Sequence, residues 1–207
     1  MNSTEDLIKK IQSEHEQLVY LSGRTCTGKS TLSRTIRDVL NFAAIDLDRV
    51  VYGLPEVEGK NRYEEVYLKR DDSDMIHEFV TRTQREIGVG LENHAGVIFE
   101  GAIATTETLS EIIGDHKDFL FVYLLPVNFA VYRERICKRF ALERHGLPSR
   151  LWDIVSKDQH SKYLKDHIMT HDLSDGIDRF TKVTIEGAKT RLKMFQNTFE
   201  NIYIIEV

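Results

Sequence analysis

A chain of 207 residues has room for one sizeable hydrophobic core and too little for two full-sized domains. Its 41% hydrophobic and 29% charged residues are the balance of an ordinary globular protein, neither disordered nor membrane-embedded. A net charge of −5 argues against a general affinity for nucleic acid or an anionic membrane surface. The two cysteines, Cys26 and Cys137, fit reduced thiols better than a disulfide framework. The N-terminus lacks the basic and apolar segments of a secretion signal, and no run is long enough to span a bilayer, so a cytoplasmic location is expected.

In chain order, Leu7, Ile8 and Ile11 mark a helix over 6–17. Leu18–Ser22 is a short β-prone run, and it enters Gly23-Arg24-Thr25-Cys26-Thr27-Gly28-Lys29-Ser30 with Thr31 behind it. A helix follows to Leu40, with Leu32, Ile36, Val39 and Leu40 on one face. Strand, glycine-bracketed loop and helix, in that order, make a phosphate-binding loop. Its glycines let the backbone turn successive N–H groups, and the positive end of the helix, toward one phosphate. Lys29 reaches the β- and γ-phosphates, and the Ser30 hydroxyl can ligate Mg²⁺.

Further short, nearly continuous apolar runs predict buried parallel strands at Phe42–Asp46, Gly96–Glu100, Phe119–Leu125 and Ile202–Val207. Helical patterns separate them. Ser73 is expected to cap a long helix carrying Met75, Ile76, Phe79, Val80, Ile87 and Leu91. Thr106 is expected to cap a short one ending at Gly114, and Asn128 another after Pro126. Ser149 is expected to cap a helix through Asp166, and the last helix is expected over Thr181–Phe195. Alternating strands and helices mean a parallel sheet covered on both faces, with ligands beyond the carboxyl ends of the strands.

The second strand ends in Asp46-Leu47-Asp48-Arg49. One carboxylate can approach the Mg²⁺ shell and the other can take a proton from an attacking hydroxyl; alternatively, Asp48 caps the next segment and Asp46 pairs with Arg49. The third strand ends in Glu100-Gly101, which can hold the metal's water shell or simply meet solvent. After the fourth strand come Arg133, Arg135, Lys138, Arg139 and Arg144. These either neutralise a transferring phosphoryl group or form a solvated basic face balanced by Glu134 and Glu143. Arg135 and Arg139, four apart, share a face. His167 and His171 have possible zinc spacing without an obvious third ligand, and Trp152 reads as core.

The phosphate loop, Asp46-x-Asp48, the strand ending in Gly101, Leu124-x-Pro126 and Arg135-Ile136-x-x-Arg139 together resemble the small P-loop kinases related to nucleoside monophosphate kinases. Shikimate kinase, gluconate kinase, chloramphenicol phosphotransferase and the zeta toxins are the families named by this resemblance. It implies one domain over 1–207, a five-stranded parallel sheet in the order 2-3-1-4-5, an acceptor-binding segment over about 49–72 and a lid over about 139–150. It also implies ATP and Mg²⁺ as cofactors. In shikimate kinase and the zeta toxins, the second aspartate of a similar Asp-x-Asp faces the acceptor hydroxyl, and Asp48 matches it. The helix leading to the lid would bring Arg139 and Arg144 near ATP. Glu100-Gly101 also resembles the corresponding strand end of uridine kinases.

A GTPase would carry an Asn-Lys-x-Asp signature, which is absent. A nucleotide-binding interaction module without turnover is the other class to weigh, and Asp48 speaks modestly against it. The expected activity is γ-phosphoryl transfer from ATP to a hydroxyl of a small molecule. Gly23 to Thr31 and Arg144 would bind nucleotide; Lys29, Asp48, Arg135 and Arg139 would be catalytic; Ser30, Asp46 and Glu100 would serve the metal. Lys29→Ala is expected to cut turnover by several orders of magnitude while leaving folding nearly unchanged. Steady-state kinetics and a thermal melt on the same preparation check this.

Overall fold

The computed structural model describes residues 3–54, 66, 73–103, 105–140 and 173–207. It divides into two compact units, the first built from Met1–Gly23, Gly28–Leu124 and Lys193–Ile205, the second from Arg24–Thr27, Leu125–Leu192 and Glu206–Val207. The expected helix over 149–166, with Trp152, and the histidines 167 and 171 lie outside the described residues.

The elements are α1 (Thr4–Glu14), β1 (Leu18–Gly23), α2 (Lys29–Leu40), β2 (Phe42–Asp46), α3 (Leu47–Tyr52), α4 (Ser73–Asn93), β3 (Gly96–Glu100), α5 (Thr106–Ile113), β4 (Phe119–Leu125), α6 (Phe129–Phe140), α7 (Leu173–Gln196) and β5 (Ile202–Glu206). The five strands form one parallel sheet in the order β2-β3-β1-β4-β5. Their apolar runs are continuous because helices cover both faces; Val19, Leu21, Val97, Ile98, Phe99 and Val122 have no more than traces of exposed surface. The centre of the first unit is aromatic. The Tyr20 ring stacks on Phe99 at 4.9 Å and meets Phe121 at 5.0 Å, and Phe121 takes Phe195 edge-on at 4.9 Å. The buried Tyr20 hydroxyl donates to the Gly101 carbonyl at 3.1 Å, so the sheet's core fastens the turn that leaves β3.

Helix boundaries follow their caps. α1 begins at Thr4 rather than Asp6. Ser3 Oγ accepts the Asp6 N–H at 3.1 Å and the Asp6 carboxylate accepts the Ser3 N–H at 3.0 Å, a reciprocal capping box. Thr105, not Thr106, caps α5, its hydroxyl accepting the Thr108 N–H at 3.1 Å. Asn128 Oδ1 accepts the Val131 N–H at 3.1 Å, as expected of a cap for α6. The last helix starts at Leu173, not Thr181; Thr181 is interior, its hydroxyl donating to the Ile177 carbonyl at 2.8 Å. Val39 is not on the buried face of α2. The stripe runs Leu32, Ile36 and on to the half-buried Leu40, leaving Val39 58% exposed.

In the second unit, Tyr132, Ile136 and Cys137 of α6 pack with Ile177 and Ile185 of α7, and Cys26, Phe129 and Phe180 lie against them. Arg133 Nε bonds Asp178 Oδ1 at 2.6 Å and ties the two helices. Neither cysteine is part of a disulfide. Among the described residues, no helix is long and apolar enough to cross a membrane.

Two glycines of the first unit make a matched test. Gly101 holds φ 144°, and a Cβ there would sit 2.8 Å from Leu47 Cβ. Gly88 is helical, with nothing within 4 Å of the same position. Gly101→Ala is expected to destabilise by about 1–3 kcal/mol, and Gly88→Ala to stabilise by about 0.5–1 kcal/mol. Urea unfolding midpoints should therefore move in opposite directions.

Candidate functional site

The loop between β1 and α2 is shaped before any ligand enters. Thr27 N–H and Thr27 Oγ1 both donate to the Arg24 carbonyl, at 3.3 and 2.7 Å, closing a tight turn. Cys26 holds a left-handed φ of 65° and Gly28 one of 97°. Gly28 lets the chain reverse into the helix, and its carbonyl takes the Thr31 and Leu32 N–H groups at 3.1 and 3.0 Å. No side chain caps α2. Its first N–H groups thus meet the anion-binding condition of an open helix N-terminus at the end of a glycine-bracketed loop.

Lys29 Nζ donates back across the loop to the Gly23 carbonyl at 3.0 Å. Ser30 Oγ donates to Glu100 Oε2 at 3.0 Å. The sheet register explains the second contact: Glu100 pairs with Leu21 of β1 on one side and Asp46 of β2 on the other. Burial pushes the Glu100 carboxyl above its ordinary value of 4.5, and Asp46 and Asp48 push it further, against the Ser30 hydroxyl and the Lys29 ammonium.

Asp46 has a structural task that sequence reasoning assigned to its neighbour. Its Oδ1 accepts the Asp48 N–H at 3.0 Å and caps α3, a short helix not expected from the sequence. Asp48 then lies in the first turn of α3 and Leu47 is buried beneath it. At the other end of α3, Arg82 Nη1 of α4 donates to the Gly53 carbonyl at 2.6 Å. Of the expected acceptor segment, residues 55–65 and 67–72 lie outside the described residues.

The expected metal ligands are therefore partly assembled. Ser30 and Glu100 meet; Asp46 is adjacent to Glu100 in register but gives one oxygen to its cap. Among the described residues, no three His, Cys, Asp or Glu side chains are grouped closely enough to hold a metal by themselves. A hydroxyl and a carboxylate, both hard oxygen donors, fit Mg²⁺, which keeps waters and takes phosphate oxygens for its remaining positions.

In the second unit, Arg24 lies against α7 at Gly187, where an added Cβ would fall 2.3 Å from its Nη2. Arg135 Nη1 stands 3.5 Å from the Thr27 carbonyl, whereas Arg139, one turn on, is exposed. Arg133 is committed to Asp178, and Lys138 to Glu134 at 2.5 Å, so part of the basic cluster is balanced surface charge. Arg144 and most of the expected lid lie outside the described residues. Sequence reasoning missed Tyr132, whose hydroxyl donates to the Thr25 carbonyl at 2.6 Å. The available signal was a tyrosine on the apolar face of α6, whose buried hydroxyl required a partner.

The strand order and the loop after β1 define the molecule as a P-loop kinase fold. The zeta toxin family model matches residues 3–198, and the chain belongs to the zeta toxin family. Among solved structures, it is similar to the full-length tRNA isopentenylpyrophosphate transferase of Bacillus halodurans, with 15% identity, a TM-score of 0.51, and 92% of this chain and 90% of that one covered. It is also similar to a shikimate kinase of Bacteroides thetaiotaomicron, with 17% identity, a TM-score of 0.48, and 92% and 86% covered. A gluconokinase of Sinorhizobium meliloti shares 13% identity, with a TM-score of 0.45 and 93% and 83% covered. No curated protein matches the chain.

The raised Glu100 carboxyl has a consequence for stability. Between the ordinary value of 4.5 and the raised folded value, the folded chain binds more protons here than the unfolded chain, so this group's contribution to stability falls as pH rises. Below that window it costs nothing, and above it the cost is complete. Glu100→Gln still accepts from Ser30 but cannot ionise. Without divalent cations, its stability relative to the parent is expected to rise across this window. Urea melts from about pH 4 to pH 8 check this; a pH-independent difference would contradict it.

Proposed function

We propose that this protein is a kinase that transfers the γ-phosphoryl group of ATP to a hydroxyl of a small molecule. The observation that supports it best is the open N-terminus of α2, with Lys29 and Ser30 in its first turn and no side-chain cap of its own. Backbone N–H groups of the loop from Gly23 to Thr31 bind the phosphates. Lys29 exchanges the Gly23 carbonyl for phosphate oxygens, which are stronger partners for an ammonium. Ser30 and Glu100, with Asp46 beside them, would hold Mg²⁺, which supplies charge neutralisation at the β- and γ-oxygens. Asp48 orients the acceptor and takes its proton. Arg135 and Arg139 of α6, and Arg144 beyond it, supply positive charge to the nucleotide and the transferring group.

The decisive experiment is an ATP-consumption screen over sugars, nucleosides, nucleotides, hydroxy acids and antibiotics. A saturable, acceptor-dependent signal supports the kinase reading. Tight ATP binding with no such signal would make the protein a nucleotide-binding module instead. Once an acceptor is found, the two aspartates should separate. Asp48→Asn is expected to lower kcat by about two to four orders of magnitude with ATP affinity nearly intact. Asp46→Asn keeps an oxygen for the α3 cap and is expected mainly to raise the Mg²⁺ requirement. Equal, mild effects in both would assign the pair to structure.

A further inference from the structure

The loop residue Cys26 carries a cost that something must hold in place. Its φ of 65° is left-handed, a conformation unfavourable for a side chain other than glycine, and it persists only where its surroundings fix it. The backbone on either side is held. Before Cys26, the Thr25 carbonyl accepts from Tyr132 Oη at 2.6 Å; after it, the Thr27 N–H donates to the Arg24 carbonyl at 3.3 Å, and the carbonyl of the next peptide, that of Thr27, lies 3.5 Å from Arg135 Nη1. The Arg24 carbonyl is already taken by Thr27.

The C=O and N–H of a trans peptide point in opposite directions. Capturing the Thr25 carbonyl therefore turns the Cys26 N–H away from α6. A carbonyl left to rotate inward would face a phosphate with negative charge, while an N–H faces it with a donor. Tyr132 can fix this orientation because it is itself fixed. Its ring is 1% exposed and packs with Ile136, Cys137, Ile177 and Ile185. Tyr132 and Arg135 are three apart on α6, so they share a face. One helix face thus holds the loop backbone on both sides of the strained residue.

We propose that Tyr132 is a positioning residue for phosphate binding, holding the Thr25–Cys26 peptide with its N–H presented as an anion donor. The proposal rests on the nucleotide reading of the loop. Tyr132→Phe keeps the buried ring and removes only the hydroxyl, and the unfolding midpoint verifies that the fold is retained.

The test is calorimetric affinity for Mg-ATP and for inorganic pyrophosphate in the parent chain, Tyr132→Phe, Cys26→Gly and the double variant. Tyr132→Phe is expected to weaken both ligands about five- to tenfold, the worth of one hydrogen bond. Glycine adopts the left-handed conformation without strain, so in the Cys26→Gly background the loss should shrink to about twofold or less. A residue that merely packs would lower the midpoint without this coupling. In the parent chain, pyrophosphate is also expected to slow hydrogen exchange at the Cys26 amide. Parent binding with undiminished affinity in Tyr132→Phe, equal losses in both backgrounds, or unchanged exchange at Cys26 would overturn the positioning role alone. A parent chain that binds neither ligand would overturn the nucleotide reading with it.

Discussion

The register of β3 between β1 and β2 is the constraint on which the first unit's site depends. It fixes Glu100 beside Asp46 on one edge and Leu21 on the other, at the carboxyl ends of three parallel strands. Packing Val97, Ile98 and Phe99 into the core leaves Glu100 no other place. A carboxylate so placed is partly desolvated and flanked by like charge, which is unfavourable for folding but favourable for attracting a cation. The Ser30 hydroxyl and the Lys29 ammonium offset part of that cost without removing it.

A second lock places Asp48. Tyr20 reaches from the centre of the sheet to the Gly101 carbonyl, and Gly101 packs against Leu47 so closely that a methyl group would collide. Leu47 lies between the cap residue Asp46 and Asp48, with Arg82 holding the far end of α3. The short helix is thus held at both ends and beneath, although six residues could not be helical alone. Catalysis by positioning needs this kind of support more than it needs any particular loop length.

The strands were legible because burial on both faces leaves a signature that survives without any knowledge of partners. Phe42–Asp46, Gly96–Glu100 and Phe119–Leu125 have the expected bounds. The strand order followed from family resemblance, not from periodicity. α3 was not legible, because Asp46 signals a cap and a metal ligand with the same carboxylate, and only the structure shows the bond to the Asp48 N–H. Likewise Thr105 and Thr106 are equivalent as letters, and backbone geometry chooses between them. Val39 fell off its stripe because the buried face of α2 runs through Leu32, Ser33 and Ile36 to the half-buried Leu40, and the apolar letter alone does not show which of two neighbouring positions that face includes. The end of β3 marked Glu100 in the sequence, but its bond to Ser30 and that of Tyr132 to Thr25 join residues 70 and 107 apart, which no local pattern carries.

On the proposed reading, Ser30 and Lys29 exchange their protein partners for a metal–nucleotide complex. A crystal structure with Mg²⁺ and a non-transferable ATP analogue tests it most directly. Phosphates are expected at the N-terminus of α2, Ser30 Oγ on the metal instead of Glu100, and Lys29 Nζ on phosphate oxygens instead of the Gly23 carbonyl. Nucleotide bound elsewhere, or bound with the Ser30–Glu100 and Lys29–Gly23 hydrogen bonds both intact, would contradict it.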